Sequence, residues 1–314
     1  GLRIEPEALH LPEEEKKRDA MKLVFMGTPE FALPSLKALI AAPEHEVLVV
    51  VTQPDKPSGR GQNIQMPPVK QEALIHGIPV LQPRTLKGNA EFADAIIGLK
   101  PDAVIVVAYG KMIPEDLLRV PPFGFINVHA SLLPSFRGAA PINRAILEGC
   151  STSGVSIMKV DAGMDSGPVF TKSEVPVPED MDAPSLSSRL SVLGAEKLLE
   201  TLALLEQGRI EPVPQDHDRA TYAPMLKKEE GEIDWNRSPR QIHNMVRGLL
   251  PWPCAYSFMS SKTLKILKSS YVVEEHELPP GVMAKGPEGL RVACRGGFLI
   301  PEVLQLEGKK AMDA

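Results

Sequence analysis

The sequence predicts a two-domain α/β protein in which a doubly wound parallel sheet is followed by a smaller antiparallel β domain. Three observations support this prediction. The chain has 314 residues, more than one hydrophobic core normally serves. Short apolar runs alternate with helix-like segments in the first half, which is the pattern of parallel βαβ units. Short strand-like runs separated by glycine and charged turns fill the last quarter.

Four apolar runs in the first half are rich in β-branched residues, as strands buried on both faces are. They occupy residues 23–26, 47–51, 103–107 and 125–128. Apolar positions three and four apart predict helices between them, at residues 30–41, 68–76 and 90–99. Ligands of such sheets bind beyond the carboxyl ends of the strands, so the loops that follow the four strands are the first places to search for a site.

The second half predicts a long helix, a linker and a small antiparallel barrel. An amphipathic stretch at residues 185–207 ends at Gly208, and a proline-bearing segment follows through Pro224. We therefore expect a catalytic domain at 21–207, a linker at 208–224 and a C-terminal domain at 225–314, with residues 1–20 as an extension of uncertain origin. The expected strands of the C-terminal domain lie at 263–267, 271–273, 281–284, 290–293 and 298–303.

Composition excludes several classes of protein. Hydrophobic residues make up 43% of the chain and charged residues 24%, and no apolar run reaches the roughly 20 residues that span a bilayer. The net charge of −5 argues against a protein that coats nucleic acid indiscriminately, although a local basic surface can still hold phosphates. Three cysteines without paired spacing or nearby histidines suggest neither a zinc site nor disulfides. We expect a cytoplasmic protein with no membrane or metal partner.

Two polar residues end the fourth predicted strand. Asn127 and His129 are separated by one apolar residue, so their side chains share one strand face and can point at one small ligand. A hydrogen-bonded core histidine beside a turn-forming asparagine is the alternative. Because Asn127 and His129 lie at the carboxyl end of a strand, we favour a ligand-binding site over this alternative.

An acidic, glycine-interrupted loop lies between two further strand-like runs. It reads DAGMDSGP and carries Asp161 and Asp165. Two carboxylates in a tight loop usually cap turns, so this loop alone does not predict a site.

Together, the segment NVHASLLPSFRGAAPI and the loop DAGMDSGP closely resemble the folate-dependent formyltransferase family. The resemblance implies a Rossmann-like catalytic domain and 10-formyltetrahydrofolate as co-substrate. It also implies that Asn127, His129 and Asp165 form a catalytic trio. The residues expected to contact the folate are Ser131, Leu132, Leu133 and Pro134. Ser135 departs from the pattern, because many relatives carry a basic residue at this position.

The loop TQPDKPSGRG after the second strand resembles an insertion in the members of this family that act on methionyl-tRNA. Lys56, Arg60 and the nearby Lys70 give the region a positive excess for contacts with tRNA phosphates. An exposed flexible loop without a ligand is the alternative. The segments IDW and PWP further resemble the C-terminal domain of the same subgroup, which implies an OB-like β-barrel that contacts tRNA.

The implied reaction is attack of a neutral amine on the formyl carbon, which creates an oxyanion and a cationic nitrogen. We expect the Asn127 amide and an N–H of His129 to donate to the oxygen. Asp165 is expected to orient the imidazole and to accept the proton. The protonation state of His129 stays open. The expected partners are initiator methionyl-tRNA and the folate co-substrate, and we expect a monomer.

Three other functions fit parts of the pattern. A formyltransferase acting on a nucleotide-linked amino sugar would keep the trio but lack the loop after the second strand. A formyl-folate hydrolase would use water in place of the amine. A non-catalytic tRNA-binding protein would share the barrel but would not need the trio.

Overall fold

A computed structural model describes residues 20–58 and 63–314 of the chain. Arg60 and all but the last residue of the expected 1–20 extension lie outside these ranges. The strands of the first domain are β1 (Met21–Gly27), β2 (His45–Val51), β3 (Lys56–Ser58), β4 (Asn63–Gln65), β5 (Val80–Leu81), β6 (Ala103–Val107), β7 (Phe125–His129), β8 (Thr152–Lys159) and β9 (Val169–Pro176). The helices are α1 (Leu33–Ala41), α2 (Pro68–Ile75), α3 (Ala90–Leu99), α4 (Pro141–Leu147) and α5 (Ala183–Glu206).

The main sheet has seven strands in the order β5-β2-β1-β6-β7-β8-β9. The first five in this order are parallel, which confirms the predicted doubly wound sheet. The last two strands are antiparallel to their neighbours. Only nine residues connect β8 to β9, too few for the crossover that a parallel pair would need.

Alternate residues of β1 face opposite helical layers. Leu23 and Phe25 belong to one buried cluster with residues of α1, α2 and α5. Val24 and Met26 belong to a second cluster with Phe92 of α3. Burial on both faces explains why the strand is apolar throughout rather than alternating. The first helix begins later than predicted, because Glu30–Ala32 form a 3-10 turn before α1.

The second domain contains one helix and an antiparallel sheet. Its elements are α6 (Pro239–Gly248), β10 (Ala255–Met259), β11 (Lys262–Val272), β12 (Met283–Gly286), β13 (Gly289–Cys294), β14 (Gly297–Leu306) and β15 (Met312–Asp313). The main path runs β10-β11-β14-β13-β12, and β15 pairs with β14. Over residues 225–314 the pairings form one open path, and no hydrogen-bonded pair joins β10 to β12. The antiparallel strands of this sheet confirm the small antiparallel C-terminal domain that the sequence predicts.

Three predictions for this domain need correction. The runs expected at 263–267 and 271–273 are one strand, β11, whose register shifts near Lys268 absorb the polar interruption. Strand β10 was not predicted. Helix α6 was not predicted either, although Ser238 and Gln241 form a capping box and Pro239 occupies its first turn.

Buried polar contacts join the two domains. His243 and Arg247 of α6 both reach the turn between β9 and α5. The Nε2 of His243 donates to the Glu179 carbonyl at 2.9 Å, and Nη1 of Arg247 donates to the Met181 carbonyl at 2.9 Å. Arg144 of α4 pairs with Glu230 at 2.5 Å. These contacts hold the C-terminal domain against α4 and against the turn between β9 and α5.

The described residues contain no membrane-spanning helix, no cluster of metal ligands and no disulfide. No helix there is long and apolar enough to cross a membrane. Within 20–58 and 63–314, no group of three or more histidine, cysteine or acidic side chains is arranged to hold a metal ion. The cysteines Cys150, Cys254 and Cys294 are free thiols.

A core substitution tests the packing of α5. We expect Leu198→Ala to lower the free energy of unfolding by about 2–5 kcal/mol, because Leu198 is fully buried against the sheet. Leu74→Ala is the matched control, since Leu74 is 52% exposed and should change stability by less than about 1 kcal/mol. Denaturant unfolding measures both. Equal losses would contradict the assignment of this helix to the core.

His243 makes the stability depend on pH. Burial lowers the pKa of His243 below its ordinary value of 6.5. The unfolded chain therefore takes up a proton as the pH falls past 6.5 while the folded protein resists it, so stability is lost in that direction. We expect the free energy of unfolding to fall more between pH 7.5 and 5.5 in the parent than in His243→Gln. Parallel pH profiles would show that His243 does not cause the loss.

Candidate active site

A cavity of about 650 Å³ opens at the carboxyl ends of β6 and β7. This is the edge of the sheet where the sequence predicts a ligand. The loop after β6, the end of β7, the start of α4 and the loop between β8 and β9 form its walls. All three residues of the predicted trio line it: Asn127, His129 and Asp165.

Asn127 and His129 point to the same side of β7, as their spacing predicts. Asn127 is paired between Val106 of β6 and Met158 of β8, so its side chain leaves the middle of the sheet. His129 is only 6% exposed. The strand therefore presents an amide and an imidazole side by side at the base of the cavity.

A main-chain carbonyl orients the imidazole. The Nε2 of His129 lies 3.0 Å from the Phe136 carbonyl oxygen, which can only accept a hydrogen bond. Nε2 therefore carries a proton, and Nδ1 is the nitrogen that faces Asp165. The distance from Nδ1 to Asp165 Oδ2 is 3.6 Å, too long for a direct hydrogen bond. The Phe136 carbonyl therefore orients the ring through a hydrogen bond, and the role expected of Asp165 in orienting the ring stays a prediction.

A backbone amide holds the Asp165 carboxylate. The N–H of Gly138 donates to Oδ2 at 2.8 Å. Gly138 has a φ of +115°, and a Cβ there would lie 2.9 Å from the Ala223 carbonyl oxygen, so glycine is required. Asp161 behaves differently, because it accepts hydrogen bonds from Gly163 N–H at 3.0 Å and from Ser166 Oγ at 2.8 Å. Asp161 caps the turn, and Asp165 is the carboxylate directed at the imidazole.

Residues Ser131–Pro134 lie behind the cavity wall rather than on it. Ser131 and Leu133 are each 1% exposed. Ser131 Oγ donates to the Ser135 carbonyl at 2.6 Å, and the Leu133 N–H donates to Ser156 Oγ at 3.1 Å. Neither Leu132 nor Pro134 lines the cavity. The Ser131 hydroxyl and the Leu133 N–H are thus paired within the protein, and the folate contact expected of this segment stays a prediction.

The loop after β6 forms a wall that sequence reasoning did not assign to any ligand. Residues 108–113 all line the cavity. Tyr109 is 2% exposed, its hydroxyl has no partner among the described residues, and burial raises the pKa of Tyr109 to about 12. Lys111 donates to the carbonyls of Pro83 and Arg84 at 2.8 and 2.7 Å. The only advance signal was the position of this loop after a predicted strand.

The three predicted tRNA contacts have different surroundings. Lys56 is exposed on β3. Lys70 pairs with Asp55 at 2.7 Å and donates to Gln82 at 2.8 Å. The bond from Lys70 is also the main cause of a lowered pKa for Asp55. The Lys70 and Asp55 side chains neutralise each other, so Lys56 and Arg60 account for the positive excess that the sequence predicts over Asp55.

The comparisons with known proteins cover both domains. The Formyl transferase family profile matches residues 21–202, and the profile of the Formyl transferase C-terminal domain matches residues 225–314. A solved N-formyltransferase from Helicobacter canadensis, crystallised with folinic acid and dTDP-3-aminofucose, shares the fold with a TM-score of 0.66. It is 18% identical, and the match covers 90% of this chain and 98% of that one.

Two curated relatives are far more similar in sequence. A methionyl-tRNA formyltransferase from Geotalea uraniireducens is 49% identical over 294 residues, which cover 94% of this chain and 93% of the relative. A methionyl-tRNA formyltransferase from Acetivibrio thermocellus is 47% identical over 294 residues, which cover 93% of this chain and 94% of the relative. The chain belongs to the methionyl-tRNA formyltransferase family.

Proposed function

We propose that this protein transfers the formyl group of 10-formyltetrahydrofolate to the amino group of initiator methionyl-tRNA. The observation that carries the proposal is the meeting of Asn127, His129 and Asp165 around one cavity in a chain nearly half identical to methionyl-tRNA formyltransferases. The relatives name the reaction, and the cavity provides groups suited to it.

The proposed step forms one carbon–nitrogen bond and breaks another. The methionyl amine attacks the formyl carbon, and the resulting tetrahedral oxyanion accepts a hydrogen bond from the Asn127 amide. Because His129 Nε2–H is directed at Phe136, Nδ1 is the ring nitrogen that is left to face the reacting groups. Asp165 accepts the amine proton, directly or through water, and the proton then goes to N10 of the folate as it leaves. The products are tetrahydrofolate and the formylated amine.

We propose that the folate ring binds against the wall at residues 106–113. A cavity of about 650 Å³ is within the usual range of roughly 300–1,000 Å³ for small-molecule sites. Its apolar side chains include Val106 and Ile113, which suit a flat heteroaromatic ring. Segment Ser131–Pro134 then acts indirectly, by fixing the position of Phe136 and its carbonyl.

The tRNA is proposed to bind across the loop after β2 and the C-terminal domain. Lys56, Arg60 and Lys70 are our candidates for phosphate contacts, and Lys70 also pairs with Asp55. We keep the domain bounds 21–207, 208–224 and 225–314 as part of the proposal. We also propose a monomer in the cytoplasm, in keeping with the free thiols and the reducing conditions they suit.

The activity is tested by incubating the purified protein with 10-formyltetrahydrofolate and methionyl-charged initiator tRNA. We expect formylmethionyl-tRNA and tetrahydrofolate in equal amounts. Uncharged tRNA and an amino-sugar nucleotide serve as controls. Folate release without tRNA would indicate a hydrolase, and formylation of the sugar alone would indicate the other branch of the family.

Substitution of the trio tests the proposed chemistry. Asn127→Ala, His129→Ala and Asp165→Ala should each lower kcat by at least about 10²-fold, since each removes an oxyanion donor or a proton acceptor. The KM for folate should change little. Asp94→Asn, at an exposed position of α3, is the matched control for a lost carboxylate. If a variant keeps near-parental turnover, the residue that it replaces has no part in the mechanism.

Salt dependence tests the loop after β2. Arg60→Ala should raise the KM for tRNA more than the KM for folate and should flatten the dependence of kcat/KM on salt, because one phosphate contact is lost. Arg119→Ala is the control, since the Arg119 side chain is 85% exposed on a different loop. If Arg60→Ala keeps the parental KM for tRNA and the parental salt dependence, the loop after β2 does not bind tRNA through Arg60.

A further inference from the structure

We propose that Gln215, in the segment predicted as a linker, is a positioning residue that holds Asp165 in place for proton transfer. The proposal rests on the proposed formyl transfer. Gln215 is 8% exposed and does not line the cavity. Its influence on the reaction therefore passes through the loop that carries Asp165.

The side-chain amide of Gln215 forms two hydrogen bonds with the main chain of the loop that carries Asp165. Its Nε2 donates to the carbonyl oxygen of Asp165 at 2.9 Å and to that of Gly167 at 2.6 Å. Both hydrogens of one amide group are thus used on main-chain oxygens of the same short loop. This fixes the peptide units that follow Asp165 and Gly167, and with them the direction in which the Asp165 side chain leaves the backbone.

The other end of the same amide joins the loop to the segment after β7. Gln215 Oε1 accepts from Arg137 Nε at 3.1 Å and from Arg137 Nη2 at 2.8 Å. Arg137 is 3% exposed and directly precedes Gly138, the donor to the Asp165 carboxylate. Gln215 consequently links the backbone of Asp165 to the residue beside the amide that binds its side chain.

Asp165 needs such support because its backbone is in an unfavourable conformation. Its φ is +50°, in the left-handed region that residues with a Cβ seldom adopt. Gly167 closes the other side of the loop, where an added Cβ would lie 1.9 Å from the Lys159 carbonyl oxygen. The loop is therefore bounded by Lys159 on one side and by Gln215 on the other.

Gln215 is itself fixed by main-chain bonds on both sides of it along the chain. Val213 exchanges two hydrogen bonds of 2.8 Å with Val169 at the start of β9. Further along, the Thr221 carbonyl accepts from the Arg137 N–H at 2.9 Å, and the Ala223 N–H donates to the Arg137 carbonyl at 2.7 Å. The segment 208–224 is therefore hydrogen-bonded both to the start of β9 and to the turn after β7, in addition to connecting the two domains.

Gln215→Glu tests this role with little change in shape. The carboxylate keeps an acceptor for Arg137 but cannot donate to the carbonyls of Asp165 and Gly167. We expect kcat to fall by about 10–10²-fold, the scale of a reacting group misplaced by about 1 Å. The KM values for folate and tRNA should stay within about twofold, because Gln215 touches neither. A kcat within twofold of the parent, or a raised KM with parental kcat, would overturn the proposal.

Two further variants separate positioning from general stability. Asn89→Asp makes the same change at a half-buried helix N-cap far along the chain from the site. It keeps the cap to the Phe92 N–H and loses only the donation to the Thr85 carbonyl, so parental kcat is expected. Gln215→Met removes all four bonds without adding charge and should lower kcat at least as much as Gln215→Glu. Parental kcat in Gln215→Met at a temperature where it is folded would also overturn the role.

Hydrogen exchange tests the role of Gln215 independently of activity. The Gly138 amide should exchange as slowly as the amides of β7 in the parent and faster in Gln215→Met, because a loop held by Gln215 keeps the Asp165 carboxylate on this amide. Equal exchange at Gly138 in the two folded proteins would overturn the role. Absence of formyl transfer by the parent would overturn the proposed function instead, and the exchange comparison would still report on Gln215.

Discussion

The hydrogen bond from the Gly138 N–H to the Asp165 carboxylate holds the candidate active site together. It joins two segments that are distant in sequence, the turn after β7 and the loop between β8 and β9. The same turn supplies the Phe136 carbonyl that orients His129. One stretch of main chain therefore sets the position of both titratable groups, and neither depends on a direct bond to the other.

Local pattern was sufficient where a residue's surroundings are close to it in sequence. The strand at Ala103–Val107 and the helix at Ala90–Leu99 have the predicted bounds. A continuous apolar run predicts a strand buried on both faces, and apolar positions three and four apart predict a helix, so both patterns can be recognised within a short stretch of sequence. The shared side of Asn127 and His129 followed from strand alternation alone. Helix α6 was missed despite its capping box, because the polar residues His243, Asn244 and Arg247 are buried beside its apolar residues and obscure the helical pattern.

Long-range contacts explain what the sequence left open. The pairing of Lys70 with Asp55 spans 15 residues, and residue types alone did not predict which lysine of the region pairs with this carboxylate. The bond between His129 and Phe136 depends on a main-chain carbonyl, which carries no signal in residue type. The cavity wall at residues 108–113 likewise contains few polar side chains, so only its position at a strand end pointed to it.

The tautomer of His129 is the most direct test of this geometry. Nitrogen-15 NMR of the labelled imidazole reports which ring nitrogen of the neutral form holds the proton. We expect the proton on Nε2, because Nε2 faces the Phe136 carbonyl oxygen. A neutral ring protonated at Nδ1 would contradict the bond to Phe136 and, with it, the arrangement proposed for formyl transfer.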